Sequence, residues 1–204
     1  ISSLAFNPVR PRELYLLVSN GDLLRTVDRG GTWQLLYRFE AETAELFADP
    51  RETDVLYVAS RTEGLYRSLD AGITWESLRE NMSEFPGAIE YRRFYAHPTK
   101  RNLLYWVSTY GILRSANGGD TWESIDLITP PGSAQIYGFA VNSANENEIY
   151  YTATINNRST FYRTGDGGTQ WATKQLPSGQ LPTVLYVHAT KPEIIYLGMT
   201  IPPR

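Results

Sequence analysis

Four stretches of this 204-residue chain set a hydroxyl, a carboxylate or amide, a glycine and a tryptophan at one fixed spacing. They are Thr26-Val-Asp28-Arg-Gly30-Gly-Thr32-Trp33, Ser68-Leu-Asp70-Ala-Gly72-Ile-Thr74-Trp75, Ser115-Ala-Asn117-Gly-Gly119-Asp-Thr121-Trp122 and Thr164-Gly-Asp166-Gly-Gly168-Thr-Gln170-Trp171. Carboxylates recurring at Asp28, Asp70 and Asp166 invite a catalytic or calcium-binding reading. A group repeated in every unit of an array lies at separated places, however, and cannot converge on one substrate. The residue types suit a turn instead. Asp or Asn accepts backbone N–H bonds, Gly permits a positive φ, the hydroxyl satisfies another turn group, and Trp buries a large ring. Asp28, Asp70, Asn117, Asp166 and the tryptophans Trp33, Trp75, Trp122 and Trp171 are therefore expected to be structural.

Other chemistry finds little support. The two histidines, His97 and His188, fall at different places when the chain is aligned with itself. His97 takes the turn slot of Asn7, Asp49 and Asn142, while His188 aligns with Ala5, Phe47, Tyr95 and Ala140 and is expected to pack between units. With no cysteine and no third histidine, neither a metal site nor a cofactor is expected. A glycosidase needs two carboxyl groups roughly 5 to 9.5 Å apart. Glu45, Glu84, Glu90 and Asp126 could face a groove, but nothing selects a pair. No Gly-rich phosphate loop and no Ser-His-Asp arrangement is present, so no catalytic residue is assigned.

The elements that must carry these residues follow from the repeat. The motif tryptophans lie 42, 47 and 49 residues apart, a period that suits one four-stranded blade of a β-propeller. Tyr15, Tyr57, Tyr105, Tyr150 and Tyr196 each follow an aliphatic residue in an apolar strand. A shorter strand ending in a polar turn precedes each, a third strand leads into each motif, and a fourth leaves each Trp. The spacing predicts an all-β propeller with four antiparallel blades over residues 1–39, 44–80, 91–127 and 135–176. A half blade follows over 183–200, without motif or Trp, before Pro202-Pro203-Arg204. The 204 residues are expected to form one propeller region within a larger propeller. Trp106, aligned with Leu16, Val58, Tyr151 and Leu197, is expected in the core.

Where the repeat explains the common residues, function is sought where the pattern breaks. At the position of Ser3, Glu45, Gly138 and Tyr186, the third unit has Arg93, preceded by Arg92. Both are expected near the mouth of the central channel, where Arg can grip a carboxylate or phosphate, or pair with Glu45 or Glu90. The connections Arg79–Glu90 and Asp126–Gln135 are the longest and carry Phe85 and Ile128 among turn formers. Loops on a rigid scaffold are common contact sites. Arg79, Phe85, Arg92 and Arg93 are the candidate partner-binding residues, on the face opposite the motif hairpins.

Composition narrows the partner. A formal net charge of −3 argues against general nucleic-acid or anionic-membrane binding, which needs accumulated Lys and Arg. No apolar run approaches the roughly 20 residues of a membrane span. The start at Ile1, with neither Met nor a signal segment, suggests a mature form or an excerpt.

The motif resembles the Asp box, or BNR repeat, of sialidases, sortilin-type receptors, xyloglucan-cleaving glycosidases and photosystem II stability factors. Pro turns and aliphatic-Tyr strands look most like the photosystem-factor and bacterial sortilin-like branch. That resemblance implies that the box lies between third and fourth strands, away from the ligand face, and is not catalytic. Asn117 and Gln170 depart from the pattern, yet neither should abolish a hairpin. A sialidase would also need an arginine cluster, a Tyr activated by Glu and a Phe-Arg-Ile-Pro-type segment, and no such segment is present. The expected function is a non-catalytic, extracytoplasmic scaffold or assembly factor with a protein partner. The alternative is a carbohydrate-active or carbohydrate-binding propeller that takes a glycan.

Overall fold

Short apolar runs rich in β-branched and aromatic residues, cut by Pro, Gly and Asn, favour strands over helices. The computed structural model describes residues 3–201, and it builds them into five antiparallel sheets. Ile1 and Ser2 of the expected first blade, and the closing Pro202-Pro203-Arg204, lie outside the described residues.

The first blade runs β1 (Ser3–Phe6), β2 (Leu14–Leu17), β3 (Asp22–Thr26), β4 (Gln34–Arg38). The second has β5 (Thr43–Ala48), β6 (Leu56–Ser60), β7 (Leu65–Ser68), β8 (Glu76–Ser77). The third has β9 (Tyr91–Ala96), β10 (Leu104–Ser108), β11 (Ile112–Ser115), β12 (Glu123–Ser124). The fourth has β13 (Gln135–Asn142), β14 (Asn145–Ile155), β15 (Arg158–Thr164), β16 (Ala172–Gln175). A two-stranded partial blade, β17 (Leu181–Val187) and β18 (Ile195–Thr200), completes the order. Each sheet is a meander in chain order. Among the described residues the one helical element is a 3-10 turn, Glu80–Met82, between β8 and β9.

Blades pack through a repeated pair. In the four full blades the Tyr of the second strand is buried with a first-strand residue of the next blade: Tyr57 lies 5.2 Å from Phe94, and Tyr105 5.4 Å from Phe139, between ring centroids. Burying such a side chain contributes about 1.5–3 kcal/mol. Position in the array decides who is covered. Phe94 is 6 % exposed, whereas Leu4, its counterpart in the first blade, is 46 % exposed because no described blade precedes it. Trp106 is fully buried as expected, its Nε1 donating to the Ala88 carbonyl at 2.6 Å.

The fifth unit differs from the sequence alignment by two residues. His188, not Thr190, ends its first strand: the His188 amide bonds the Ile194 carbonyl as the His97 amide bonds that of Leu103. His188 is thus a half-buried turn residue rather than one packed between blades, and Val184, not Tyr186, shares the position of Ser3, Glu45, Arg93 and Gly138. The alignment failed there because Thr190-Lys191 imitates a polar turn end, and only strand pairing fixes register.

Candidate partner-binding surface

The four motif hairpins close on themselves. In the first, the Asp28 carboxylate accepts from the Thr26 hydroxyl at 2.7 Å, the Thr32 amide at 2.9 Å and the Thr32 hydroxyl at 2.8 Å. The Thr26 hydroxyl in turn accepts the Gly30 amide at 2.9 Å. Ser68, Ser115 and Thr164 accept the amides of Gly72, Gly119 and Gly168 likewise. Those glycines have φ between 91° and 111°, a region open to Gly at little cost. Asn117 keeps the backbone bond to Thr121, and Gln170 keeps its amide on Asp166 while losing only the hydroxyl contact. The Thr26 hydroxyl, helped by Thr32, holds Asp28 down to about 2; Thr74 acts similarly on Asp70 and Thr164 on Asp166. The carboxylates are ionised acceptors whose partners lie within the turn.

Each hairpin also bonds its own blade's first turn, as in Gly118 N–H to the Asn102 carbonyl and Ala71 N–H to that of Asp54. The hairpins and the first-to-second-strand turns therefore share a face. The rings of the later three motif tryptophans lie against the blade before them: Trp75 stands 5.0 Å from Phe39, Trp122 shares a core with Leu78, and Trp171 Nε1 donates to the Asp126 carbonyl at 2.8 Å. The expectation that all four are largely buried fails at Trp33, which is 39 % exposed against 7 % for Trp122. No described blade stands before Trp33 to cover it.

Sequence reasoning missed a second repeated group. Arg25, Arg67, Arg114 and Arg163 stand immediately before the motif hydroxyls, each opposite the blade's Tyr. The signal was their invariant place. Arg67 donates to Glu76 at 2.7 Å, to the Gly118 carbonyl at 2.9 Å and to Asp120 of the next blade at 2.8 Å. Arg114 reaches Glu146 of the fourth blade at 3.4 Å, and Arg10 reaches Asp54 of the second at 2.5 Å. Arg25 meets buried Glu13 at 2.6 Å, and Glu13 also accepts from the Tyr15 hydroxyl at 2.5 Å. Desolvation of Tyr15, reinforced by that carboxylate, raises its pKa. These cations join strands and blades.

The candidate partner-binding residues divide. Arg79 pairs with Glu63, and Phe85 packs edge-on against Tyr110 at 5.3 Å; both line a 230 Å³ hollow under the Arg79–Glu90 connection. Arg93 crosses between first strands, donating to the carbonyls of Tyr137 at 3.2 Å and Thr183 at 2.8 Å. Its partners are main-chain oxygens rather than Glu45 or Glu90. Glu45 instead accepts from the Tyr91 hydroxyl, and Glu90 from Thr109 at 2.7 Å. Burial, with the Glu45 charge beside it, pushes the Tyr91 hydroxyl up, the opposite of an activated nucleophile. Arg92 is exposed on β9, and Ile128 is exposed in its loop.

A largely apolar cavity of about 630 Å³ gathers Phe47, Tyr95, Val141 and Tyr186 where four first strands end on the hairpin side. A polar cleft of about 480 Å³ between the third and fourth blades holds Arg114, Glu123, Glu146 and Asp166. Among the described residues no group of three or more His, Cys, Asp or Glu could hold a metal ion, and no helix is long and apolar enough to cross a membrane. His97 is buried and its Nδ1 accepts the amides of Thr99 and Lys100 at 3.3 and 3.2 Å. Burial lowers its pKa.

This arrangement defines a β-propeller, and comparison with solved structures agrees. An ancestral GH74 enzyme superposes with a TM-score of 0.73 at 14 % identity, over 97 % of this chain and 27 % of that one. YCF48 from Cyanidioschyzon merolae gives 0.64 at 20 % identity, over 99 % and 67 %. In sequence, a xyloglucanase from Paenibacillus sp. is 27 % identical over 202 residues, 89 % of this chain and 17 % of the relative. Xyloglucanase Xgh74A of Acetivibrio thermocellus is 26 % identical over 203 residues, 89 % and 20 %. The chain thus spans about a fifth of the curated relatives it matches. No family model matches.

Proposed function

We propose that the chain is a non-catalytic propeller region, a scaffold or assembly-factor-like subunit of an extracytoplasmic envelope or membrane-associated complex. On this reading the four hairpins are Asp boxes, and the face opposite them meets a protein partner. The carrying observation is that the repeated charges are spent within the scaffold: the motif carboxylates in their own turns, and the motif arginines between strands and blades. The irregular residues Arg79, Phe85 and Arg92 stand on or beside one long connection, and Arg and aromatics are enriched in interface hot spots. Arg93 supports that surface through its main-chain bonds.

The test is affinity capture with the wild-type chain and with Arg92→Glu, followed by identification of what co-purifies. Recovery of the partner is expected to fall about tenfold or more in the variant, the size of a modest interface contact. Equal recovery would remove this patch.

A second reading, a carbohydrate-active or carbohydrate-binding propeller, is favoured by the two xyloglucanases matched along 89 % of the chain. Calorimetric titration with xyloglucan oligosaccharides separates the two. Saturable binding would favour the glycan, and its absence alongside a captured protein would favour the scaffold.

A further inference from the structure

The motif arginine is seated differently at two neighbouring blade junctions. Between the second and third blades, Arg67 lies opposite Glu76 on the paired strand and is closed in, its side chain 12 % exposed. It donates to Glu76, to the Gly118 carbonyl and to Asp120 of the next blade. One junction on, Arg114 lies opposite Glu123 in the same register, and Gly167 takes the place of Gly118, each glycine amide bonding the asparagine carbonyl of its own first turn. The last partner differs: Thr169 stands where the third blade has Asp120. Arg114 turns instead to Glu146 at 3.4 Å, its side chain 31 % exposed, and Lys100 pairs with the same carboxylate at 3.2 Å. Glu123 is left without its arginine, and the polar cleft of about 480 Å³ opens beside it, Asp126 and Gly167. Among the described residues neither the Glu123 nor the Asp126 carboxylate has a hydrogen-bond or ion-pair partner. Gln170 adds a further free acceptor, because it lacks the hydroxyl that binds the second carboxylate oxygen of Asp28 and Asp70, and Asp166 also lines the cleft. Four carboxylates thus line it against Arg114, with Lys100 beside Glu146. Its charge is net negative.

We propose that this cleft binds the guanidinium of an arginine presented by a peptide segment of a partner protein. The guest takes the acceptors that Arg67 takes one junction earlier: the Glu123 carboxylate and the Gly167 carbonyl, with Asp126 beside them. The chain itself names the ligand, because Glu76 and the Gly118 carbonyl, in the same two places, already hold a guanidinium. A planar fork of donors meets a carboxylate and a carbonyl together, which a compact ammonium does less well. The walls come from the third and fourth blades, each flanked by a described blade. Further blades of a larger propeller would adjoin the first and the partial blade, not this cleft. It opens on the hairpin side, opposite the Arg92 surface, and is a second site.

The test is an NMR titration of the isotope-labelled 204-residue chain with acetyl-Gly-Arg-Gly-amide, at constant ionic strength and up to about 50 mM to reach a millimolar contact. Saturable shifts are expected at the amides of Gly167, Gly168 and Thr169, while those of Gly118 and Asp120, at the junction Arg67 fills, should stay in place. The matching citrulline peptide, which keeps the shape and loses the charge, should bind about tenfold or more weakly, and the lysine peptide about threefold more weakly. Glu123→Gln combined with Asp126→Asn alters two exposed side chains and leaves the Asp126 carbonyl on Trp171. The double variant should keep its amide spectrum elsewhere and bind the arginine peptide about tenfold more weakly. Absence of saturation, equal shifts at Gly118 and Asp120, equal binding of either comparison peptide, or undiminished binding by the double variant would each overturn the proposal. Partner capture through Arg92 is unaffected by any of these results, so the two readings fail separately.

Discussion

The first and third blades share a strand order and a motif, yet they bury different things. In the third blade Phe94 and Trp122 are sealed by the second blade; in the first, Leu4 and Trp33 face outward. The third blade also replaces two polar anchors, with His97 where the first has Asn7 and Asn117 where the first has Asp28. Both sets make the same turns: the amides of Val9 and Arg10 bond Asn7 as those of Thr99 and Lys100 bond His97. The difference teaches that hairpins are local property, set by a few side chains and glycines, while core membership depends on the adjoining blade.

The largest expected effect strains that comparison at the tryptophans. Trp122→Ala should destabilise the chain by about 3–5 kcal/mol, the usual result of emptying a buried aromatic site. Trp33→Ala should cost about 1 kcal/mol or less, as for a surface change. Urea unfolding of both checks this, and equal losses would show that the first blade is covered in solution.

Next in size is the bridge between the second and third blades. Arg67→Met removes three donors from a largely buried site and should cost about 1–3 kcal/mol, because the acceptors lose their partners. Arg163→Met, whose guanidinium is 57 % exposed while its partner Glu148 is half-buried, should cost less, about 0.5–1 kcal/mol. Thermal melting of the two variants orders them.

A smaller effect depends on pH. Burial holds His97 below its ordinary value of 6.5, so as pH falls below 6.5 the unfolded chain takes the proton first. The stability His97 contributes is complete above 6.5 and is lost as pH drops through the folded pKa. His97→Asn, which installs the first blade's anchor, should flatten melting temperature against pH over that window. An unchanged slope would mean that another group is responsible.

The smallest effect is in strong acid. Asp28 is held at about 2 against an ordinary 3.8, so its contribution is present above 3.8 and fades as pH falls towards 2. Asp28→Asn, copying Asn117, should remove that acid dependence and leave neutral-pH melting nearly unchanged. Asp28→Ala should lower melting at neutral pH, because the Thr32 amide and two hydroxyls lose their acceptor. Any loss of partner or glycan binding by folded Asp28→Ala would instead make the motif a site.

Much of the candidate surface was legible as irregularity. Arg92 and Arg93 stood out because no other unit has arginine there, but sequence could not say that Arg93 would find the Tyr137 and Thr183 carbonyls, which come from strands 44 and 90 residues away. The Tyr91–Glu45 pair was invisible for the same reason. The motif arginines were visible and overlooked: their constancy was plain, but the acids that bind them come from different places in different blades.

What the sequence determined by itself is the blade: its strands, its turns and its motif hairpin. These depend on neighbours a few residues apart, through φ preferences, side-chain-to-backbone bonds and period-two alternation. Tertiary structure alone decided the register of the fifth unit, the exposure of Trp33 and Tyr196, and the partners of each arginine. Those depend on which blade lies alongside, because burial is a property of two surfaces and a strand can slip two residues while keeping its apolar face inward.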